Sequence, residues 1–164
     1  MTSKLYHVAQ INIARALAPI DDPVMADFLA RLDEINALAD RSEGFVWRLQ
    51  GAEGNATYLR PFDDDRILVN MSVWESIEHL KDFTYRTVHN EVMRRRREWF
   101  EKMDGFYLAM WWIKAGSIPT VAEAKRRLEH LQSKGETPFA FTFKQTFTPA
   151  DCREEDFAQL APCA

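Results

Sequence analysis

His89 is the residue whose type and spacing suit it best to moving a proton. On a helical wheel advancing about 100° per residue from Tyr85, Val92, Trp99 and Met103 fall within roughly 40°, and His89 sits about 40° to one side. Ile77 and Val88 widen this apolar arc on one flank, Met93 and Phe100 on the other. Arg94 and Arg97 fall outside the arc, whereas Arg96 is stacked within it. Partial burial lowers an imidazole pKa and keeps the ring neutral near neutral pH, the state in which it accepts a proton. Tyr85, one turn away, is placed to share a substrate hydrogen bond, and Arg96 to stabilise developing negative charge. The competing reading is structural: a core histidine bonded to a carbonyl, with Arg96 snorkelling to solvent.

The remaining candidates sit on strands. His7 and Asn12 have opposite parity, so a regular strand sends them to opposite faces and only a bulge would bring them together. Trp111 and Trp112 also diverge, so at most one of them is expected to line a pocket, and Trp74 ends another strand. For each of these, core or subunit contact competes with catalysis. No HxxxH, HxH or cysteine cluster suggests a metal site, and His79 and His89 are too far apart on one helix to chelate one ion. A single histidine could ligate haem iron. No phosphate loop, dinucleotide fingerprint or GxSxG elbow is present.

The elements that must position these residues are legible in the hydrophobic periodicity. Leu5 to Ile13 alternates as a strand, with Leu5, His7, Ala9, Ile11 and Ile13 on one face and Tyr6, Val8, Gln10 and Asn12 on the other. Pro19 and Asp21-Asp22-Pro23 mark a turn before a helix over Val24 to Ala39, which Ser42-Glu43-Gly44 ends. Phe45 to Leu49 is a short strand, Gly51 to Asp65 an exposed loop, and Ile67 to Trp74 a strand again. One long helix is expected from about Ser76, as cap, to Met103. Asp104-Gly105 breaks it before an aromatic strand from Phe106 to Ile113. A third helix over Val121 to Gln132 and a last strand over Phe139 to Phe147 complete the pattern. The order β-α-β-β-α-β with an α-β extension predicts an α+β fold, a ferredoxin-like antiparallel sheet with both helices of the first unit on one face. The other face then requires a cover, and a second subunit closing it would leave a cavity.

Composition fits one globular domain of 164 residues, 46% hydrophobic and 28% charged. Residues 1–148 are read as that domain, including the extension, and 149–164 as a loosely attached acidic tail. Aromatics at 12% either fill a large core or line a cavity for an apolar ligand. A net charge of −4 argues against nucleic acid, and the run Arg94–Arg97 is a solvated face paired with Glu91, Glu98 and Glu101. Cys152 and Cys163 form no disulfide framework, and neither a signal-peptide core nor a membrane span is visible, so a cytoplasmic protein is expected.

Several segments together resemble a family. Ser72-Val73-Trp74-Glu75-Ser76, Phe83-Thr84-Tyr85, His89, Arg97-Glu98-Trp99-Phe100, Trp111-Trp112 and Pro119 to Ala124 look like the domain-of-unknown-function family 3291. Arg127-Leu128 and Phe139 to Phe143 continue the match. That family is similar to the dimeric α+β barrel superfamily of antibiotic-biosynthesis monooxygenases, haem-degrading enzymes and polyketide cyclases, and the resemblance implies a homodimer. In the cyclase branch, Glu75-Ser76 followed by His89 resembles a helix carrying a catalytic base, and His7 a second histidine. The cyclase tyrosine would fall at Phe83, which lacks the hydroxyl. In the haem-degrading branch the working Asn, Trp and His would be Asn12, Trp74 and His89. The expectation is an enzyme for a small hydrophobic or aromatic molecule in a barrel cavity, monooxygenase-like, needing no resident cofactor. His89, Tyr85, Asn12 and Trp74 would be catalytic, with His7, Phe83, Arg96, Trp111 and Trp112 against the substrate. A cofactor-free cyclase or isomerase using His89 as base, and a haem-binding or non-catalytic ligand-binding dimer, are the alternatives.

Overall fold

The computed structural model describes residues 5–51, 62–87 and 89–157. Val88, Cys163, most of the loop expected over 51–65 and the end of the tail lie outside the described residues. The chain is a mixed α+β fold built on one four-stranded antiparallel sheet with four helices. In chain order the elements are β1 (Tyr6–Arg15), α1 (Ala26–Asp40), β2 (Phe45–Arg48), β3 (Ile67–Trp74), α2 (Ile77–Arg86), α3 (His89–Arg94), β4 (Leu108–Lys114) and α4 (Val121–Lys134). The strands lie in the order β2-β3-β1-β4.

β1 is central, paired with β3 through Ile11↔Met71 and Asn12↔Asn70 and with β4 through Ala9↔Trp111 and Ile11↔Ala109. Its alternation therefore sorts side chains into two environments. Ala9, Ile11 and Ile13 join Val69, Met71, Val73, Ala109, Trp111 and Ile113 in one buried apolar layer. That layer is closed by Ala124, Leu128 and Leu131 of α4. The opposite face carries Val8, Gln10, Asn12, Asn70, Ser72 and Trp74, and α1, α2 and α3 lie over it.

This arrangement changes the expected role of the extension. The face for which a second subunit was the expected cover is covered by the chain's own α4. Thr120 caps this helix by accepting from Glu123 N–H at 3.1 Å, and Gly135, at φ +76°, ends it. Every third or fourth residue of α4 is apolar on the sheet side, which is why it seats there. Glu123 and Arg127 share that inner side as a buried ion pair of 3.2 Å. Arg127 also donates to the Phe139 carbonyl at 3.0 Å and the Asp156 carbonyl at 2.7 Å.

Two expected elements differ. The single helix from Ser76 to Met103 is divided, because Thr87 adopts an extended backbone (φ −122°, ψ −178°). The Thr87 hydroxyl donates to the Phe83 carbonyl and accepts from His89 N–H, so one side chain closes α2 and opens α3. After α3 the chain makes only a 3-10 turn at Arg96–Glu98. The last strand is also absent as such: Phe139 to Phe147 touches β4 through one isolated bridge, Met110↔Phe141. Within the described part of the tail, Phe157 stacks on Tyr6 with ring centroids 4.9 Å apart and Glu154 pairs with Lys114 at 2.8 Å.

Gly44 fixes the corner that orients the site. Its φ of +80° favours glycine, and a Cβ there would lie 2.2 Å from the His79 ring. Its carbonyl accepts from Glu75 N–H at 2.7 Å, joining the start of β2 to the end of β3.

Leu128 seals the α4 layer at 1% exposure. Leu128→Ala is expected to cost about 2–5 kcal/mol, read from the urea midpoint, whereas exposed Ile118→Ala should stay within about 0.5 kcal/mol. Equal small effects would show that α4 does not form part of the core.

Candidate functional site

Between the sheet and helices α1 to α3 lies a cavity of about 460 Å³, which the turn at Gly105–Leu108 and Phe143 also border. A space of this size suits a small organic molecule. Its floor is a row of polar side chains in the middle of β1 and β3. Gln10 Nε2 donates to Asn70 Oδ1 at 2.7 Å and to Ser72 Oγ at 2.8 Å. Trp74 Nε1 donates to the same Ser72 oxygen at 2.9 Å, and Asn12 Nδ2 donates to Gln10 Oε1 at 3.2 Å.

Ser72 Oγ accepts twice, so its own proton is available to donate. Asn70 Oδ1 accepts from Gln10 and, at 3.4 Å, from Asn12, so the Asn70 amide N–H groups are the donors left over on that side. Trp74 Nε1 and Asn12 Nδ2 are already engaged within the row. The floor thus offers donors, held by buried partners: Gln10 is 3% and Ser72 7% exposed.

The wall is aromatic. Phe45 meets Trp74 edge-on, Trp74 stacks on Phe83 at 5.1 Å, and Phe83 lies 5.3 Å from the His89 ring. Tyr85 meets Phe143 edge-on at 5.7 Å, and both border the cavity. His89 begins α3 and turns back, so that its Nδ1 lies 3.1 Å from the Thr84 carbonyl. A carbonyl only accepts, so Nδ1 carries the proton and Nε2 of the neutral ring keeps its lone pair. Burial pushes the His89 pKa down, and the Thr84 carbonyl opposes this only in part. The ring is therefore neutral at pH 7 and equipped to accept a proton at Nε2.

Asn12, Trp74, Phe83, Tyr85, His89 and Arg96 all border this cavity. His7, Trp111 and Trp112 do not border it. His7 lies on the α4 side, paired in register with Ile113. Trp111 is buried in the same layer, 5.8 Å from the Arg127 guanidinium. Trp112 is on the cavity-side face of β4, but its Nε1 donates to the Phe147 carbonyl at 2.7 Å. Gln10, Asn70, Ser72, Arg97 and Lys144 border the cavity as well and were not singled out by sequence. The signal for the first three was polar residues two apart on one face of a buried strand, Gln10 with Asn12 and Asn70 with Ser72.

Burial pushes the Cys152 thiol up to about 11, which keeps it protonated. Among the described residues, no group of three or more His, Cys, Asp and Glu is arranged to hold a metal ion. No helix among them is long and apolar enough to cross a membrane.

Residues 7–157 match the family model of a Domain of unknown function (DUF3291). A comparison with curated protein sequences gives no match. Among solved structures, a protein of unknown function from Nitrosomonas europaea is similar at 12% identity and a TM-score of 0.43, covering 71% of this chain and 98% of its own. A conserved protein from Methanosarcina mazei Go1 is similar at 15% identity and a TM-score of 0.44, covering 68% and 93%.

Two measurements check the site. Nitrogen-detected NMR should find His89 as the Nδ1–H tautomer, titrating below its usual 6.5; an Nε2–H tautomer would contradict the geometry. Ser72→Ala removes the acceptor shared by Gln10 and Trp74 and should destabilise the protein by about 1–3 kcal/mol in thermal or urea unfolding.

Proposed function

We propose that this chain, which belongs to the DUF3291 family, is a cofactor-free enzyme that removes a proton from a small, hydrophobic, carbonyl-bearing molecule. The observation that carries this reading is the His89 ring, which borders an aromatic cavity with Nδ1 committed to the Thr84 carbonyl, so that Nε2 is the nitrogen with a lone pair to offer. In the reaction, Nε2 takes a proton from the carbon next to the carbonyl. The electron pair moves onto the carbonyl oxygen, and the enolate oxygen accepts hydrogen bonds from Ser72 Oγ–H and Asn70 Nδ2. His89 then returns the proton at another position, giving isomerisation, or the carbanion attacks a second carbonyl carbon of the same molecule, whose C=O π pair moves to oxygen and takes the proton from His89, giving cyclisation. Asn12 and Gln10 hold the donors in place, and Trp74, Phe83 and Tyr85 enclose the apolar body.

The strand order β2-β3-β1-β4 supports reading the first unit as ferredoxin-like, and with it a kinship to the dimeric α+β barrels. The walls named here all come from one chain, so this reading does not depend on a homodimer to close the cavity. Monooxygenase-like oxidation starts from the same carbanion, so oxygen demand separates the two chemistries.

The test uses 2-tetralone as probe, in deuterated buffer without oxygen, following loss of its α-protons by NMR. The wild-type chain should exchange them above the buffer rate, and His89→Ala should lower the enzymic rate about 10²–10⁴-fold. The rate should be flat above pH 6.5 and fall as pH drops through the depressed His89 value, because protonated His89 is no base. Binding of the probe without exchange would overturn the catalytic reading. Consumption only in oxygen would favour oxidation, and a Soret band on adding haemin would favour a haem protein.

A further inference from the structure

The charges at the cavity opening do not balance. Arg48, Arg96, Arg97 and Lys144 border it, against Glu101 as the acidic side chain among its bordering residues. Arg48 is engaged with Asp40 at 2.8 Å, and Glu101 is held by Arg15 at 2.6 Å and Arg66 at 3.9 Å. With Asp64, which pairs with Arg15 at 2.6 Å, these groups balance within the protein and leave Arg96, Arg97 and Lys144, none of which has an ion-pair partner among the described residues. Arg96 has only a 3.4 Å hydrogen bond to the Tyr107 hydroxyl, a neutral group.

The three cations come from separate parts of the chain. Arg96 and Arg97 lie in the turn that follows α3, while Lys144 adjoins Phe143, whose ring meets Tyr85 edge-on. A chain of net charge −4 thus gathers, among its described residues, positive charge without an ion-pair partner at the solvent-facing border of its apolar cavity, where Arg97 and Lys144 are exposed. Cations beside low-dielectric walls attract an anionic ligand more strongly than the same cations on an open surface.

We propose that the ligand is a small aromatic or polycyclic carboxylate, its ring against Trp74 and Phe83 and its carboxylate at Arg96, Arg97 and Lys144. This proposal rests on the cavity being a ligand site, as in the proposed function, and adds the charge of the ligand. It also separates two anionic demands within the site. The fixed carboxylate is met by side-chain cations at the mouth, and the transient enolate oxygen by neutral donors on the floor. A site divided in this way selects its ligand by charge without placing a full positive charge beside His89, where it would oppose protonation of the base.

The test compares 2-naphthoate with methyl 2-naphthoate, which share a ring system and differ in charge, by isothermal titration calorimetry on the full chain. The carboxylate is expected to bind about tenfold or more tightly than the ester, and raising NaCl from about 0.05 to about 0.5 M should erode that preference. The double variant Arg96→Gln/Lys144→Gln should lose the preference while keeping its affinity for the ester, which also shows that it is folded. Equal binding of the two probes by the wild-type chain would overturn the carboxylate assignment and leave the cavity reading intact. Binding of neither would overturn both.

Discussion

β1 is bonded on both edges and covered on both faces, and the rest of the molecule is arranged around that constraint. With β3 and β4 holding its backbone in register, each side chain has only two directions available. A slip of one residue would carry Gln10 and Asn12 into the layer under α4 and bring Ile11 onto the cavity floor. Both faces are specified, one by continuous apolar burial and one by hydrogen bonds, so the sheet has little freedom to pair otherwise. The polar row is therefore both the floor of the site and part of what fixes the fold.

The second organising feature is the buried Glu123–Arg127 pair. Burial pushes the Glu123 carboxyl up and the Arg127 guanidinium down, and their mutual attraction opposes both tendencies. Arg127 is stabilised further by two carbonyls and by lying 3.9 Å over the Phe139 ring. It thereby joins α4 to the segment after it and to the turn at Glu154–Phe157. Such a guanidinium is suited to the task because its planar fork reaches several acceptors at once. Nothing in the spacing of Glu123 and Arg127 distinguished them from a solvated i,i+4 pair, since only the docking of α4 buries them.

His89 illustrates how a residue can be placed correctly by an incomplete argument. The continuous wheel from Tyr85 presumes an unbroken helix, and Thr87 interrupts it. The interruption improves the site, because it lets the His89 ring fold back to the Thr84 carbonyl and so fixes which nitrogen carries the proton. Sequence periodicity put His89 on an apolar side; the local break gave it a defined tautomer. Of the pairings expected for the arginine run, Arg95 does meet Glu98 at 2.7 Å, and it also lies 4.8 Å over the Trp99 ring, a contact that only the turn after α3 creates.

The sequence by itself determined the elements governed by neighbours along the chain. Alternation assigned His7 and Asn12 to opposite faces and separated Trp111 from Trp112, Ser76 and Gly44 bounded their helices, and four strands were found close to their true extents. These follow from local sterics and from period-2 and period-3.6 patterning, which are written in consecutive residues. Tertiary structure decided what lies opposite each of those faces. The hydrogen bonds from Gln10 to Ser72 and Asn70 span about sixty residues and exist only once β1 and β3 are in register. α4 docks on the apolar layer, and Lys144 reaches the cavity because Phe141 bridges to β4. Hydrophobic patterning states that a face must be buried but carries no address for its partner, so only the assembled chain could say which face became a closed core and which borders a cavity.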